Sequence, residues 1–186
     1  MIGALGRSER SRTDRRTPWF SRYVAASSIP GYSAPPSRQD WTGPVASYTY
    51  LGNDRAGCCT RASYGHVVQQ RCALVGDKCT LTEDDVLKAY KDGTGWDGVP
   101  GSASDRGGQI IDALVQMKNV GLGDYKITEF GRVNHNDTLE MRAALNLFGA
   151  LIIGAASWLL NLFIGGKGRV ERKAYIDLKQ RHGRWE

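Results

Sequence analysis

A turn that runs directly into a helix, within Leu51–Gln70, constrains the fold of this chain more than any other stretch. Asn53 and Gly57 are typical of turns, and the adjacent cysteines Cys58 and Cys59 follow at the predicted start of the helix. A thiol at a helix N-terminus lies among backbone N–H groups without intrahelical partners and near the positive end of the macrodipole, and both favour the thiolate. The pattern therefore predicts a helix that carries Cys59 as a nucleophile, with the Asn53 amide as a hydrogen-bond donor to an oxyanion.

These residues resemble the papain-like cysteine hydrolases, whose central helix opens with the nucleophile and whose oxyanion donor is an amide six residues earlier. Asn53, Gly57, Cys59 and Thr60 occupy the corresponding positions. The run is similar in particular to papain-fold-like proteins of phages and actinobacterial genomes, with a pattern near GND-x-x-G-D-C-T, although Cys58 stands where that group has Asp. A weaker likeness extends over residues 41–156. The resemblance implies an α+β fold in which the cysteine-bearing helix packs on a small antiparallel sheet.

The rest of the sequence predicts more helices and three short strands, as an α+β fold requires. Ser/Thr/Asp capping signals precede two of the helices, and alternating or continuous apolar residues mark the strands. The predicted helices are a segment from Thr82 that Gly93 and Gly95 end, Gln109–Val120, and a segment from Asp137 towards Leu147. The predicted strands are Tyr125–Phe130, Leu151–Ile153 and Val45–Leu51, the last of which is alternatively an extended lead into the cysteine turn.

The catalytic base is the part of the family pattern that this chain departs from. Papain-like enzymes carry a histidine on a later strand in a Gly-His-apolar context, and no such segment follows Leu151–Ala155. His66 lies two turns along the helix from Cys59, about 10 Å away in rise, which favours a structural role. His135 falls in an Asn-rich turn, whereas His182 lies at a chain distance that the family's base could occupy, so His182 is the candidate base.

Two functions of different classes follow. In the first, the chain is a cysteine peptidase or amidase: Cys59 attacks an acyl carbonyl, Asn53 holds the oxyanion and a histidine acts as base. In the second, the domain is degenerate and serves as a structural component of an assembly such as a phage particle. The absence of a strand-borne histidine favours the second function, because a nucleophile without an oriented base loses most of its rate advantage.

Positive charge is concentrated at the two ends of the chain. Residues 1–22 contain six arginines against two acidic residues, and residues 167–186 contain seven basic residues against three acidic ones, which leaves residues 23–166 with a net charge of −2. The predicted organisation is an extended basic arm over residues 1–40, a folded domain over 41–166 and a basic tail over 167–186. The expected partners are protein subunits of an assembly or a peptide substrate, with non-specific nucleic acid as an alternative.

The N-terminal segment and residues 145–164 bear on the location of the protein and on membrane contact. The N-terminal arginines are not followed by an apolar core, so no secretory signal is predicted, and the cytoplasm or a virion is the expected location. Residues 145–164 contain no charged side chain and are long enough to span a bilayer as a helix, so a membrane anchor is a further alternative. Asn146 and Asn161 count against it, because buried amides need partners.

The remaining cysteines and acidic residues do not indicate a metal or cofactor. Cys72 and Cys79 are compatible with a disulfide-closed loop in an oxidising compartment, but reduced thiols are expected without a secretory signal. Zinc is disfavoured because the cysteines lack paired two-residue spacings. The acidic run after Thr82 is explained by helix capping, and Gly95–Gly108 lacks the Lys-Ser/Thr ending of a phosphate-binding loop.

Overall fold

The computed structural model describes residues 17–23, 35–36, 38–134 and 136–152, and these contain five helices. The chain divides into two units. The first unit is described over residues 44–129, and the second over residues 17–23, 35–36, 38–43, 130–134 and 136–152. The helices are α1 Phe20–Tyr23, α2 Cys59–Val75, α3 Glu83–Thr94, α4 Ile110–Asn119 and α5 Thr138–Phe148.

The predicted antiparallel sheet is absent from the described residues, so the α+β prediction is wrong and the described fold is helical. Residues 45–50 form no strand, and Leu51 lies in a turn. In the predicted strand Tyr125–Phe130, only Tyr125 forms a bridge, to Leu122, which closes a tight turn. Residues 151–152 form no strand, and residue 153 lies outside the described residues. Apolar alternation indicates which face of a segment is buried, but a strand also needs a second segment to pair with.

The central element of the first unit is α2, which contacts both α3 and α4. Its side chains are buried on several faces, including Tyr64 and Val68. Gly65 permits the close approach of its neighbours, because a Cβ atom there would lie 2.6 Å from a methyl carbon of Leu51 and 3.1 Å from one of Leu81. The helix that begins at the cysteines is therefore the core helix of its unit.

The predicted start of α3 is confirmed. The Asp85 N–H donates to Thr82 Oγ1 at 3.2 Å, and the Thr82 N–H donates to Asp85 Oδ2 at 2.9 Å, which is a complete capping box. Gly95 ends the helix in the left-handed conformation, with φ of 73°. Val86 and Tyr90 are fully buried on the face towards the core. Asp85 completes the cap, and Glu83 and Asp84 lie with it in the first turn of the helix, as the sequence predicts.

The second unit contains α1 and α5. Asp137 caps α5 by accepting the Glu140 N–H at 3.0 Å, and Gly149 ends the helix with φ of 69°. The buried residues Phe20, Ala143 and Ala144 form its small core. Phe20 belongs to the segment predicted to be an extended arm, and the structure places it in the short helix α1 with its aromatic ring buried in this core.

The membrane prediction is tested only over part of its range. Within the residues that the structure describes, no helix has the length and apolar character needed to cross a bilayer. In the candidate segment 145–164, α5 ends at Phe148, and residues 153–164 lie outside the described residues. The tails 1–16 and 167–186 also lie outside them.

Candidate active site at the cysteine turn

A compact turn over residues 50–56 delivers the cysteines to α2. The Asn53 N–H donates to the Tyr50 carbonyl at 3.1 Å, and the Ala56 N–H donates to the Gly52 carbonyl at 3.0 Å. Leu51 adopts φ of 52°, a left-handed conformation that is costly for a residue with a side chain, and it is buried. Gly52 has φ of 80° and a Cβ atom there would lie 2.6 Å from a methyl carbon of Leu87. The turn is thus held in place by packing against α3.

Cys58 is the residue immediately before α2 and is completely buried. Its S–H group points to the Leu51 carbonyl, with a sulfur–oxygen distance of 3.7 Å. Burial, and then the neighbouring Cys59, raise the pKa of the Cys58 thiol from 9.0 to about 12. Cys58 is therefore a neutral thiol at physiological pH and has a packing role.

Cys59 is the first residue of α2 and is only partly buried. Burial raises the pKa of its thiol, whereas the Thr60 N–H and the Arg61 guanidinium lower it by a smaller amount. The sequence predicts a lowered pKa for the Cys59 thiol, and burial acts in the opposite direction. The helix N-terminus does supply a favourable N–H group, but loss of solvation outweighs it.

Of the other predicted catalytic residues, Asn53 lies within the described residues and His182 does not. Asn53 is exposed, and within the described part of the chain its side chain makes no hydrogen bond. His66 Nε2 lies 2.8 Å from the Thr49 carbonyl oxygen, and its ring packs edge-on against Tyr48 with centroids 5.2 Å apart. These contacts support the structural interpretation of His66. His135 and His182 lie outside the described residues.

A carboxylate that the sequence analysis did not single out stabilises the cysteine turn. Asp105 accepts the Gly57 N–H through both oxygens, at 2.9 and 3.2 Å, and the Tyr90 hydroxyl at 2.7 Å. The Tyr90 oxygen in turn accepts the Gly107 N–H at 2.9 Å. Burial and the Asp105 carboxylate raise the pKa of Tyr90 to about 12. Asp105 therefore ties the Gly-rich loop to the cysteine turn through a shared hydrogen-bond network.

Gly57 is required by this network. A Cβ atom at Gly57 would lie 2.7 Å from Asp105 Oδ1 and 3.2 Å from the Tyr90 hydroxyl oxygen. Gly57 and the Gly-rich loop are separate in the sequence, because the Gly57–Asp105 pairing spans 48 residues. Only the tertiary structure brings the two together.

Arg61 is a second buried polar group that sequence reasoning missed. It is completely buried, and its guanidinium donates two hydrogen bonds to Gln116 Oε1, at 3.2 and 2.9 Å, and one to Thr60 Oγ1 at 3.0 Å. The Gln116 amide donates to the Ala89 carbonyl at 2.7 Å. Arg61 makes no ion pair with a described carboxylate, and burial lowers its pKa. The charged guanidinium of Arg61 therefore links α2 to α4 through Gln116, and Gln116 links it further to α3, with its N–H groups satisfied by hydrogen bonds.

Glycines accommodate the guanidinium on two sides. A Cβ atom at Gly93 would lie 2.5 Å from Arg61 Nη2, and one at Gly108 would lie 2.3 Å from Arg61 Nη1. These two glycines stand at the end of α3 and in the loop before α4. Within residues 44–129, the polar groups around the cysteine turn are therefore used to pack the helices together.

No metal-binding cluster of three or more His, Cys, Asp or Glu residues occurs among the described residues. Comparisons with protein-family models, with curated proteins and with solved structures gave no match. The cysteine turn combines two thiols of raised pKa with a network of hydrogen bonds.

Proposed function

We propose that this protein is a non-catalytic structural component of a larger protein assembly, in which its basic terminal segments bind acidic surfaces of neighbouring subunits. The observation that carries the proposal is the geometry of the cysteine turn, where Cys58 is completely buried and His66 contacts the Thr49 carbonyl oxygen, and burial raises the pKa of both thiols. A neutral, packed thiol contributes apolar contact and little nucleophilicity. A virion is the assembly that the sequence resemblance suggests.

The charge distribution supports the second half of the proposal. Residues 1–22 and 167–186 each carry a net charge of +4, whereas residues 23–166 carry −2. Arginine side chains bind carboxylates in paired hydrogen bonds as well as by charge, which suits an acidic protein surface. The basic segments are therefore the binding elements, and the helical unit is the scaffold that they extend from.

A cysteine hydrolase is the second candidate function. It is favoured by one observation, the position of the partly buried Cys59 at the first residue of α2. A hydrolase of this kind needs a histidine that reaches the thiol, and His66 is engaged with Thr49. A hydrolase would therefore need His182 or His135 as its base, and both lie outside the described residues.

The binding half of the proposal is tested with defined polyanions and two full-length variants of equal net charge. Binding of a labelled poly-glutamate peptide and of a random-sequence DNA duplex is followed by fluorescence anisotropy as salt is raised. The arm variant replaces five N-terminal arginines by Gln, and the control replaces five exposed basic residues of the first unit. The arm positions are Arg7, Arg10, Arg12, Arg15 and Arg16, and the control positions are Lys78, Lys88, Lys91, Arg106 and Lys118.

The proposal expects the arm variant to lose poly-glutamate binding and the control variant to retain it. Affinity of the unmodified protein falls as salt rises, because the contacts are ionic. Equal losses in the two variants would show that the arm is not the binding element. Binding to the DNA duplex without binding to poly-glutamate would assign the arm to nucleic acid instead.

A further inference from the structure

The far end of α2 brings a second pair of cysteines together. The helix ends in a Schellman motif: the Asp77 N–H donates to the Cys72 carbonyl at 2.9 Å, and the Gly76 N–H donates to the Ala73 carbonyl at 3.3 Å. Gly76 adopts φ of 77°, which reverses the chain direction. The loop that follows returns Cys79 to the last turn of the helix.

The end of α2 and the loop that carries Cys79 meet at the hydroxyl of Tyr125. Cys72 Sγ lies 3.7 Å from Tyr125 Oη, and Cys79 directly precedes Thr80, which contacts this hydroxyl as well. The Thr80 N–H donates to the same hydroxyl oxygen at 3.0 Å, which fixes the tyrosine and the cysteine-bearing loop to one another. The three side chains form a dithiol site, defined here as Cys72, Cys79 and Tyr125.

The dithiol site is accessible to a small molecule. Cys72 and Tyr125 line an open cavity of about 370 Å³, and Cys79 is partly exposed. The cavity walls are mostly apolar, and the cations Arg71 and Lys126 stand at its edge with Asp77. An apolar recess with flanking cations suits a compact molecule that carries carboxylates. Cys72 is itself a buried residue, 8% exposed, whereas Cys58 is 0% exposed.

We propose that Cys72 and Cys79 are a reactive dithiol that exchanges with low-molecular-weight disulfides and closes into an intramolecular disulfide. The more exposed Cys79 thiolate attacks one sulfur of the disulfide R–S–S–R, forms a mixed disulfide and releases R–S⁻. The Cys72 thiolate then attacks Cys79 Sγ and releases the second R–S⁻. The two cysteines give up two protons and two electrons, which end on two molecules of R–SH.

Closure has a structural consequence at the end of α2. The Cys72 sulfur exchanges its hydrogen bond with Tyr125 for a covalent bond to Cys79, and residues 72–79 become a closed loop. A cross-link of this kind restricts the unfolded chain and fixes the helix end to the loop before α3. Oxidation therefore stiffens one wall of the cavity and removes both thiols from further reaction.

The test uses the full-length protein, oxidised glutathione as the disulfide and peptide mass spectrometry without reduction. After quenching and blocking of free thiols, trypsin cleaves after Arg71, Lys78 and Lys88, so Cys72 and Cys79 fall on different peptides. A disulfide joins peptides 72–78 and 79–88 with the loss of two hydrogens. Mixing protein labelled with ¹⁵N and unlabelled protein distinguishes a bond within one chain from a bond between chains.

The proposal expects the joined peptides from single chains, with Cys58 unmodified. The variant Cys72→Ser accumulates glutathione on Cys79, because the resolving thiol is absent, and circular dichroism verifies that it is folded. The proposal is overturned if the unmodified protein carries glutathione on both cysteines, if neither cysteine reacts, or if the joined peptides come from two chains.

Discussion

The two ends of α2 each carry a pair of cysteines, and their surroundings differ. At the start of the helix, Cys58 is completely buried and Cys59 is partly buried, and burial raises the pKa of both thiols. At the end of the helix, Cys72 is also buried and burial raises its pKa, but it lines an open cavity, and Cys79 is partly exposed. The comparison teaches that each end has one buried and one partly exposed thiol, that the cavity distinguishes the second end, and that a helix N-terminus alone does not lower a thiol pKa.

The largest expected effect is a loss of stability at high pH, and it arises from the buried groups near the start of α2. The pKa of Cys58 rises from 9.0 to about 12 and that of Tyr90 from 10.0 to about 12 on folding. A group with a raised folded pKa holds its proton longer in the folded state, so it stabilises below its unfolded pKa and loses that contribution as pH rises through the folded pKa. The free energy of unfolding should therefore fall between pH 9 and pH 12.

The Cys58 thiol contributes a loss on the order of 4 kcal/mol in the free energy of unfolding by pH 12, because each unit of pKa shift corresponds to about 1.4 kcal/mol. Urea unfolding at a series of pH values measures it, and Cys58→Ala separates the thiol from Tyr90. In that variant the decline should be smaller, and what remains comes from Tyr90 and from Cys59, whose pKa burial also raises. An unchanged pH profile in Cys58→Ala would show that the buried thiol does not titrate as described.

Removal of the buried arginine is expected to be the next largest effect. Arg61→Ala leaves a cavity and deprives Gln116 and Thr60 of their hydrogen-bond donor, at a cost of about 3 kcal/mol in the free energy of unfolding. Arg71→Ala is the matched control on the same helix, because Arg71 is exposed, and it should change stability by less than about 0.5 kcal/mol. Similar losses in both variants would contradict the role given to Arg61.

Gly57→Ala tests the link between the cysteine turn and the Gly-rich loop. The added methyl group would lie 2.7 Å from Asp105 Oδ1, so the hydrogen bonds from Asp105 must lengthen, at a cost of about 2 kcal/mol. Gly43→Ala is the control, because a Cβ atom there meets nothing within 4 Å. Thermal unfolding of the two variants measures the difference. Equal stability of Gly57→Ala and Gly43→Ala would contradict the stabilising role of the Asp105 hydrogen bonds to the cysteine turn.

Cys59→Ser gives the smallest expected effect. The partly buried thiol makes no contact that a hydroxyl would lose at high cost, so stability should change by less than about 1 kcal/mol. Assembly with neighbouring subunits and binding to poly-glutamate should be the same in this variant as in the unmodified protein. A loss of function in Cys59→Ser without loss of stability would favour the hydrolase instead.

The helices could be predicted from the sequence because their start and stop signals are local. Thr82 and Asp137 cap α3 and α5 through residues three positions away, and Gly95 and Gly149 end them. The strand Tyr125–Phe130 could not be judged in the same way, because a strand exists only with a partner from another part of the chain. Its apolar alternation is used instead in a loop that packs against α2, where Tyr125 meets Cys72.

The cysteine turn shows the same limit at the candidate site. The position of Cys59 at the start of α2 follows from the turn residues before it and is confirmed. The state of the thiol depends on burial, and the burial depends on partners that the sequence does not connect, such as Asp105, 48 residues from Gly57, and Gln116, 55 residues from Arg61. Propensity and spacing carry no information on such contacts.

The rate of alkylation at each cysteine as a function of pH tests the central claim most directly. Native protein is treated with iodoacetamide, and peptide mass spectrometry follows each thiol. The account predicts that Cys79 reacts fastest, that Cys59 reacts more slowly than an unperturbed thiol with a pKa above the ordinary value, and that Cys58 stays unmodified. Rapid alkylation of Cys59 below pH 7 would contradict the account, because it would require a stabilised thiolate at the start of α2.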